Sequence, residues 1–372
     1  MKYFLIAGEA SGDLHASNLM KGLLAEDPKA EFRYWGGEKM QAVAGTLLHH
    51  YKEGAVMGVS DVLSKGFKLL NNLKQCKRDI LDYAPDAVIL VDYPGFNLKI
   101  AKFAHSKGFK VFYYIAPKTW ASREGRNRKL RKWVDMMYIV FPFEIEYFTR
   151  KGVPFVYKGN PLVEAIEQTP VEKLTDEAYI AMLPGSRKGE ISRTMPICMK
   201  EADRLHSDPK YAGMKFIVAG APSRDESDYA SYLQGREDYV SLVFGKTYSI
   251  ISGAQAAIVN SGTASLETAL FGVPQMVCWS STPVTIFLAK HVLKVQNHIK
   301  YISLGNLIVD RLVFKEFIQT DFSIDNVDAE LRRLLEDEDY RNTMLQGYAE
   351  IKKALGQGAA SKAFAKDIIS RI

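Results

Sequence analysis

Short, mostly apolar runs alternate with helix-spaced stretches along this chain, and that alternation limits the fold more than any other feature of the sequence. In the first half the runs are residues 3–7, 87–91, 111–115 and 136–141; in the second they are 179–183, 215–219, 240–244, 256–259 and 275–278. A strand that is apolar at every position has both faces covered, which is the condition of a parallel sheet between two layers of helix. Residues 14–25 and 98–106 carry helical spacing, and Gly108 ends the second stretch. The predicted class is therefore α/β, with two doubly wound, Rossmann-like domains. Pro161 and Pro170 punctuate a polar stretch at 159–176, so the first domain is set at 1–165 and the second at 166–324. Residues 325–372 read as a helical C-terminal tail, with packing back onto the first domain left open.

A chain of 372 residues, 47% hydrophobic and 25% charged, is enough for about two domains and excludes disordered and collagen-like classes. Cys76, Cys198 and Cys278 lie far apart without a CxxC, so neither a zinc site nor a disulfide framework is indicated, and a reducing cytosol fits best. The first apolar run is too short for a signal-peptide core, and no later run reaches the length of a membrane span. The expected location is cytoplasmic. Forty-nine basic against 43 acidic residues give a net charge of +6, which matters only where it is concentrated.

In open α/β sheets ligands bind beyond the carboxyl ends of the strands, and four such loops carry chemistry. The first is Gly8-Glu9-Ala10-Ser11-Gly12-Asp13, a strand-to-helix turn whose amides suit an anion or a sugar. It is not GxGxxG, which disfavours a dinucleotide dehydrogenase; a tight structural turn is the plain alternative. The second is Asp92, directly after a buried strand, where desolvation raises a carboxylate's pKa and suits a general base. A helix cap is the plain alternative there. Glu9, Ser11, Asp13 and, just inside the first helix, His15 are further acid/base or acceptor candidates.

The third loop, 183–188, offers helix-start amides at Ser186 beside the guanidinium of Arg187, a combination suited to a diphosphate. The fourth, 260–267, opens a helix with Ser261, Gly262 and Thr263, which can hold phosphate, while Glu267 can accept both hydroxyl protons of a ribose. Together these features place a nucleotide in the second domain and an acid/base carboxylate in the first, facing each other across a deep cleft. That is the layout of a two-domain sugar-nucleotide enzyme. The DxD at 337–339 falls in the helical tail rather than at a strand end, so no metal and no cofactor are predicted.

The excess positive charge gathers in the first domain. Residues 55–78 hold a single acidic residue, Asp61, and on a helix Val59, Val62, Leu63, Phe67, Leu70 and Leu73 share a face opposite Lys65 and Lys68. This pattern suits an interfacial helix on anionic lipid, although an amphipathic helix packed on its own core has the same signature. A second cluster, Arg123, Arg126, Arg128, Lys129, Arg131 and Lys132, lies between Trp120 and Trp133. No nucleic-acid-binding signature accompanies it.

These motifs match one family. The sequence resembles the lipid-A-disaccharide synthases through Ala-Gly-Glu-Ala-Ser-Gly-Asp at 7–13, Ala-Val-Met-Gly at 55–58 and Asp-Tyr-Pro-Gly-Phe-Asn at 92–97. Pro117 with Trp120-Ala121, Leu-Pro-Gly-Ser-Arg at 183–187, Ser-Gly-Thr-Ala-Ser-Leu-Glu at 261–267 and Asn306 continue the match in family order. The resemblance implies a GT-B architecture and an inverting transfer of 2,3-diacylglucosamine from UDP onto 2,3-diacylglucosamine 1-phosphate, forming a β-1,6 disaccharide and releasing UDP. It implies Asp92 as the base on the acceptor 6-hydroxyl, and Ser186, Arg187, Ser261, Gly262, Thr263, Glu267 and Asn306 as donor-side residues. It also implies an acyl-chain and membrane patch at Val59, Val62, Leu63, Phe67, Leu69 and Leu70, on the inner face of the inner membrane. Oligomeric state, a homodimer included, stays open.

Four positions depart from the family pattern: Asn160 stands for His, Ser122 for a second Trp, Gly305 for Pro, and Gly66 for a large aliphatic. With no metal motif, charge on the departing UDP would fall to Arg187 and the helix-start amides. Two rivals share the architecture: a UDP-sugar 2-epimerase, which needs no lipid-facing helix, and a membrane-bound nucleotide-sugar sensor, which would yield no Asp92-dependent product.

Overall fold

The apolar runs form the buried centres of two parallel sheets. In the computed structural model, which describes residues 1–54, 62–282, 300–356 and 358–372, the chain divides into two units. The first comprises Met1–Ala165 and Leu355–Ile372; the second is Ile166–Ala354.

The first unit holds β1 (Lys2–Ala7), β2 (Glu31–Gly36), β3 (Thr46–His50), β4 (Ala87–Val91), β5 (Lys110–Tyr114), β6 (Met136–Ile139) and β7 (Phe155–Tyr157). Their order across the sheet is β3-β2-β1-β4-β5-β6-β7, with every pair parallel. Alternate side chains feed opposite faces. Phe4, Ile6, Val88 and Leu90 meet Leu73, Cys76 and Ile80 of the helix Val62–Tyr83, while Tyr3, Leu5, Ile89 and Val91 face the helix Ala10–Glu26.

The second unit repeats the plan with β8 (Tyr179–Leu183), β9 (Lys215–Gly220), β10 (Val240–Phe244), β11 (Ala256–Asn260), β12 (Gln275–Trp279) and β13 (Glu316–Ile318). Its order is β10-β9-β8-β11-β12-β13, again parallel throughout. In each sheet the strand order reverses beside its first strand, between β1 and β4 and between β8 and β11. Those switch points are where loops diverge and leave room for a ligand.

The expected helical tail at 325–372 does not act as one piece. The helices Ile324–Glu336 and Glu338–Leu355 stay with the second unit, where the Tyr348 hydroxyl donates to the Val273 carbonyl at 3.0 Å. Only the last helix, Ala360–Ile369, returns to the first unit, placing Phe364, Ala365 and Ile368 against the Ala10–Glu26 helix and the sheet. Gly22 permits that approach, because a Cβ there would stand 2.9 Å from the Ser361 carbonyl oxygen.

Candidate functional site

Asp92 lies at the switch point of the first sheet, immediately after β4. Its backbone is left-handed (φ 42°), as is that of Tyr93 (φ 46°), a conformation costly for residues with a Cβ and concentrated at functional positions. Buried groups hold it there: the Asn97 amide donates to the Asp92 carbonyl at 2.8 Å and to that of Val91 at 3.1 Å, and the Tyr113 hydroxyl donates to the Asp92 carbonyl at 2.6 Å. The main chain is thus fixed by neighbours that bond its carbonyl, while the carboxyl accepts from the Tyr93 amide. Burial raises the Asp92 pKa, Lys118 and Arg126 pull it down, and Glu9 pushes it up.

Gly8, Glu9, Ser11, Gly12, Val91, Asp92 and Tyr93 line one small hollow. Glu9 and Ser11 are exposed on its rim. Gly8 is required by Tyr93, since a Cβ there would stand 2.4 Å from the ring. A roomier hollow of about 370 Å³ lies at the amino ends of β2 and β3, beside Glu31, Arg33 and Thr46, away from both switch points.

Two candidates from the same loop are corrected. Asp13 is buried and accepts from the Gly37, Lys39 and Met40 amides at 2.8, 3.0 and 3.2 Å, so its carboxylate anchors the short helix Glu38–Gln41 instead of facing a substrate. His15 is buried within the first helix with Nδ1 unpartnered, and burial lowers its pKa to about 4, which keeps it neutral.

In the second unit, the loop after β8 is engaged with itself. Glu190 accepts from the Ser186 and Arg187 amides at 3.0 and 3.2 Å and pairs with the Arg187 guanidinium at 3.1 Å. The amides expected to meet a diphosphate are therefore occupied by a carboxylate, although the Arg187 side chain remains exposed. After β11, by contrast, the helix Thr263–Leu270 starts at Gly262 with no side-chain cap, and the Ser261 hydroxyl donates to the Ile302 carbonyl at 3.1 Å. Open first-turn amides attract anions. Glu267 accepts from the Tyr248 hydroxyl at 3.2 Å, and burial pushes its carboxyl up to about 7.

Asn306 is corrected as a ligand-binding residue. Its side chain is fully buried, donating to the Phe314 carbonyl and the Glu316 carboxylate at 3.0 and 2.8 Å and accepting from the Val313 amide at 2.8 Å. It ties a loop together. Two departures from the family pattern also find their reasons. Gly305 lies under Phe314, whose ring would stand 2.8 Å from a Cβ. Asn160 bridges the Val140 carbonyl and the Leu162 amide at 3.0 and 2.9 Å. Ser122 is exposed, and nothing in the structure explains its identity.

The expected lipid patch divides. Val59 lies outside the described residues, as do the side chains of Val62, Leu63 and Gly66. Leu69 packs on the core with Leu73, whereas Phe67 and Leu70 are 69% and 54% exposed. Arg128, Lys129, Arg131 and Lys132 are exposed, but the flanking tryptophans turn inward: Trp120 donates to Glu144 at 3.0 Å and Trp133 packs on the core. Among the described residues, no helix is long and apolar enough to cross a membrane.

Sequence reasoning assigned no role at the site to Lys118, Asn97 or Glu144, and grouped Arg126 with the lipid-facing charges. Arg126 is half-buried and Lys118 exposed, and both are felt by Asp92. Glu144 is buried, accepts from Trp120 and from the Val140 and Phe141 amides at 3.2 and 3.1 Å, and is pushed up to about 7 by burial. The hydrogen bonds of Asn97 and Glu144 and the charges of Lys118 and Arg126 near Asp92 become visible only in the fold, and no local sequence signal announces them.

Two Rossmann-type sheets in one chain have the architecture of the GT-B class, the first with a desolvated carboxylate at its switch point and the second with a helix start after β11 that has no side-chain cap. Solved structures share this fold. A UDP-N-acetylglucosamine 2-epimerase from Neisseria meningitidis bound to UDP-GlcNAc matches with TM-score 0.68 and 13% identity over 100% of both chains. The calicheamicin glycosyltransferase CalG4 matches with TM-score 0.58 and 13% identity over 100% of this chain and 97% of that one. The chain belongs to the lipid-A-disaccharide synthetase family, whose profile matches residues 3–368. Lipid-A-disaccharide synthases from Geobacter metallireducens and Myxococcus xanthus are 33% and 35% identical to it, covering 100% and 97% of this chain and 97% and 95% of theirs.

Proposed function

We propose that this glycosyltransferase moves 2,3-diacylglucosamine from its UDP conjugate to the 6-hydroxyl of 2,3-diacylglucosamine 1-phosphate, forming the β-1,6 disaccharide and UDP. The observation that carries the reaction is Asp92: a carboxylate at the switch point whose pKa is raised by burial, on a main chain fixed by Asn97 and Tyr113. As the acceptor oxygen attacks the anomeric carbon, Asp92 takes its proton, the glycosidic bond to UDP breaks, and one displacement inverts the configuration. The departing diphosphate is met by the first-turn amides at Gly262 and Thr263 and by Arg187; Ser186 contributes only once Glu190 gives up its amides. Glu267 serves the ribose.

Phe67 and Leu70, with the exposed cations Arg128, Lys129, Arg131 and Lys132, supply the contact with an anionic membrane surface on its cytoplasmic side. The transfer is metal-independent in this reading, because fixed cations and amides carry the phosphate charge. A mass-spectrometric assay with both diacylated substrates in detergent and EDTA tests the whole reading. A tetraacyl disaccharide phosphate plus UDP is the expected product; loss of turnover on chelation, restored by a divalent ion, overturns the metal-free mechanism. The epimerase likeness, at 13% identity, concerns the fold alone.

A further inference from the structure

Three cations follow β5 on the same strand-end edge as Asp92, Lys118 and Arg123 on the loop and Arg126 at the start of the next helix. β4 and β5 are in register through Val91 and Tyr114, and the Asp92 amide donates to the Tyr114 carbonyl at 3.2 Å, so the two strands deliver Asp92 and the loop side by side. The loop is pinned at three points. The Ala116 amide donates to the Tyr138 carbonyl at 3.2 Å, the Thr119 hydroxyl to Asn127 at 2.8 Å, and the Trp120 indole to Glu144 at 3.0 Å. The bond from Thr119 to Asn127 ties the residue after Lys118 to the residue after Arg126, at the start of the helix Arg126–Trp133.

Both cations are close enough to Asp92 to act on its carboxyl, and Arg123 and Arg126 are close enough to repel each other. Among the described residues none of Lys118, Arg123 and Arg126 forms an ion pair, whereas Glu124, between them in sequence, pairs with Lys151. Ile115 (φ 61°) and Arg123 (φ 58°) hold left-handed backbone at the two ends of the loop, a costly arrangement for a β-branched and a long side chain.

We propose that Lys118, Arg123 and Arg126 bind the 1-phosphate of the acceptor sugar while Asp92 faces its 6-hydroxyl. The proposal rests on the transferase reading above. In a glucosamine 1-phosphate, the carbons bearing the phosphate and the CH₂OH group flank the ring oxygen, so a base for one end and an anion site for the other must lie less than a sugar's width apart. An ammonium and two guanidinium groups form charge-assisted hydrogen bonds with a phosphate dianion, and guanidinium does so with fork geometry. The phosphate also relieves the repulsion between the two arginines and sets which end of the sugar meets Asp92.

Initial rates with the UDP-linked donor are compared for two acceptors, 2,3-diacylglucosamine 1-phosphate and its phosphate-free counterpart, in wild type, Lys118→Gln, Arg126→Gln and Lys118→Arg. The wild type is expected to prefer the phosphorylated acceptor. Each neutral substitution should raise that acceptor's KM roughly 10- to 100-fold, the loss of one hydrogen bond to a charged group, and collapse the preference while the donor KM holds. Lys118→Arg should recover most of it. Lys118 is exposed, so Lys118→Gln decides the matter even where Arg126→Gln fails to fold. Equal losses on both acceptors, or a displaced acid limb of the pH profile with acceptor KM unchanged, would overturn the proposal, because the cations would then only tune Asp92. No product from wild type with either acceptor would instead sink the transferase reading itself.

Discussion

Asp92 combines burial, left-handed backbone and two hydrogen bonds to its own carbonyl, so replacing only its charge should leave the loop intact. Asp92→Asn is expected to lower kcat by roughly 10²- to 10⁴-fold with little change in donor KM, measured by steady-state kinetics. Because burial raises the Asp92 pKa, the acid limb of kcat/KM should lie above the ordinary carboxylate range, activity falling as the pH drops through it. His15 gives a second residue-level expectation. Its folded pKa of about 4 lies below the ordinary 6.5, so the unfolded chain binds more protons between those values and stability falls as the pH drops from about 6.5 to 4. That loss is on the order of 3 kcal/mol; denaturant titrations of His15→Gln across the window should lack this part of the slope. Asp92 stands out in the sequence as a lone carboxylate after a wholly apolar strand. The contacts of Asp13 and Asn306 do not: Asp13 accepts from amides 24 to 27 residues on, and Asn306 binds groups 7 to 10 residues on, which no local pattern announces.

At the level of elements, the helix Val62–Tyr83 carries two apolar stripes instead of one. Leu69, Leu73, Cys76 and Ile80 face the sheet at helical spacing, and Phe67 and Leu70 stand off it. Periodicity found the helix but merged the stripes, since Leu70 and Leu73 are both compatible with one face. Phe67→Glu with Leu70→Glu should abolish flotation with anionic vesicles and leave thermal stability near wild type, because neither side chain is in the core; unchanged flotation would remove the lipid contact. Gly305 offers a packing test. Gly305→Ala places a Cβ against Phe314 and should cost about 1–3 kcal/mol in urea denaturation. Nine strands were readable as apolar runs: eight are interior to their sheets, and β10, at an edge, still has an apolar residue at four of its five positions. β2, β3, β7 and β13 were not: β2 carries Glu31 and Arg33, β3, β7 and β13 lie at sheet edges, and a half-wet strand has no continuous apolar signature.

For the whole molecule, the division after Ala165 was written in prolines and polarity, but the return of the chain was not. The helix Ala360–Ile369 is as amphipathic as its predecessors, and nothing in its composition says which sheet it covers. It covers the first. Deleting residues 356–372 should destabilise the Met1–Ala165 unit by on the order of 5 kcal/mol, since Phe364, Ile368 and two alanines leave the core and uncover their partners. Hydrogen exchange should show that loss in β1 and the first helix and much less of it in β8 to β13. The order of synthesis gives this closure a further meaning. The amino-terminal sheet leaves the ribosome first, yet part of one face waits for residues 360–369, which are made after the whole second unit, so the unit begun earlier is closed later. A stop that removes only residues 356–372 would therefore leave the carboxy-terminal sheet and its helices whole and uncover the amino-terminal one, bringing down the half of the protein encoded farthest from the lesion.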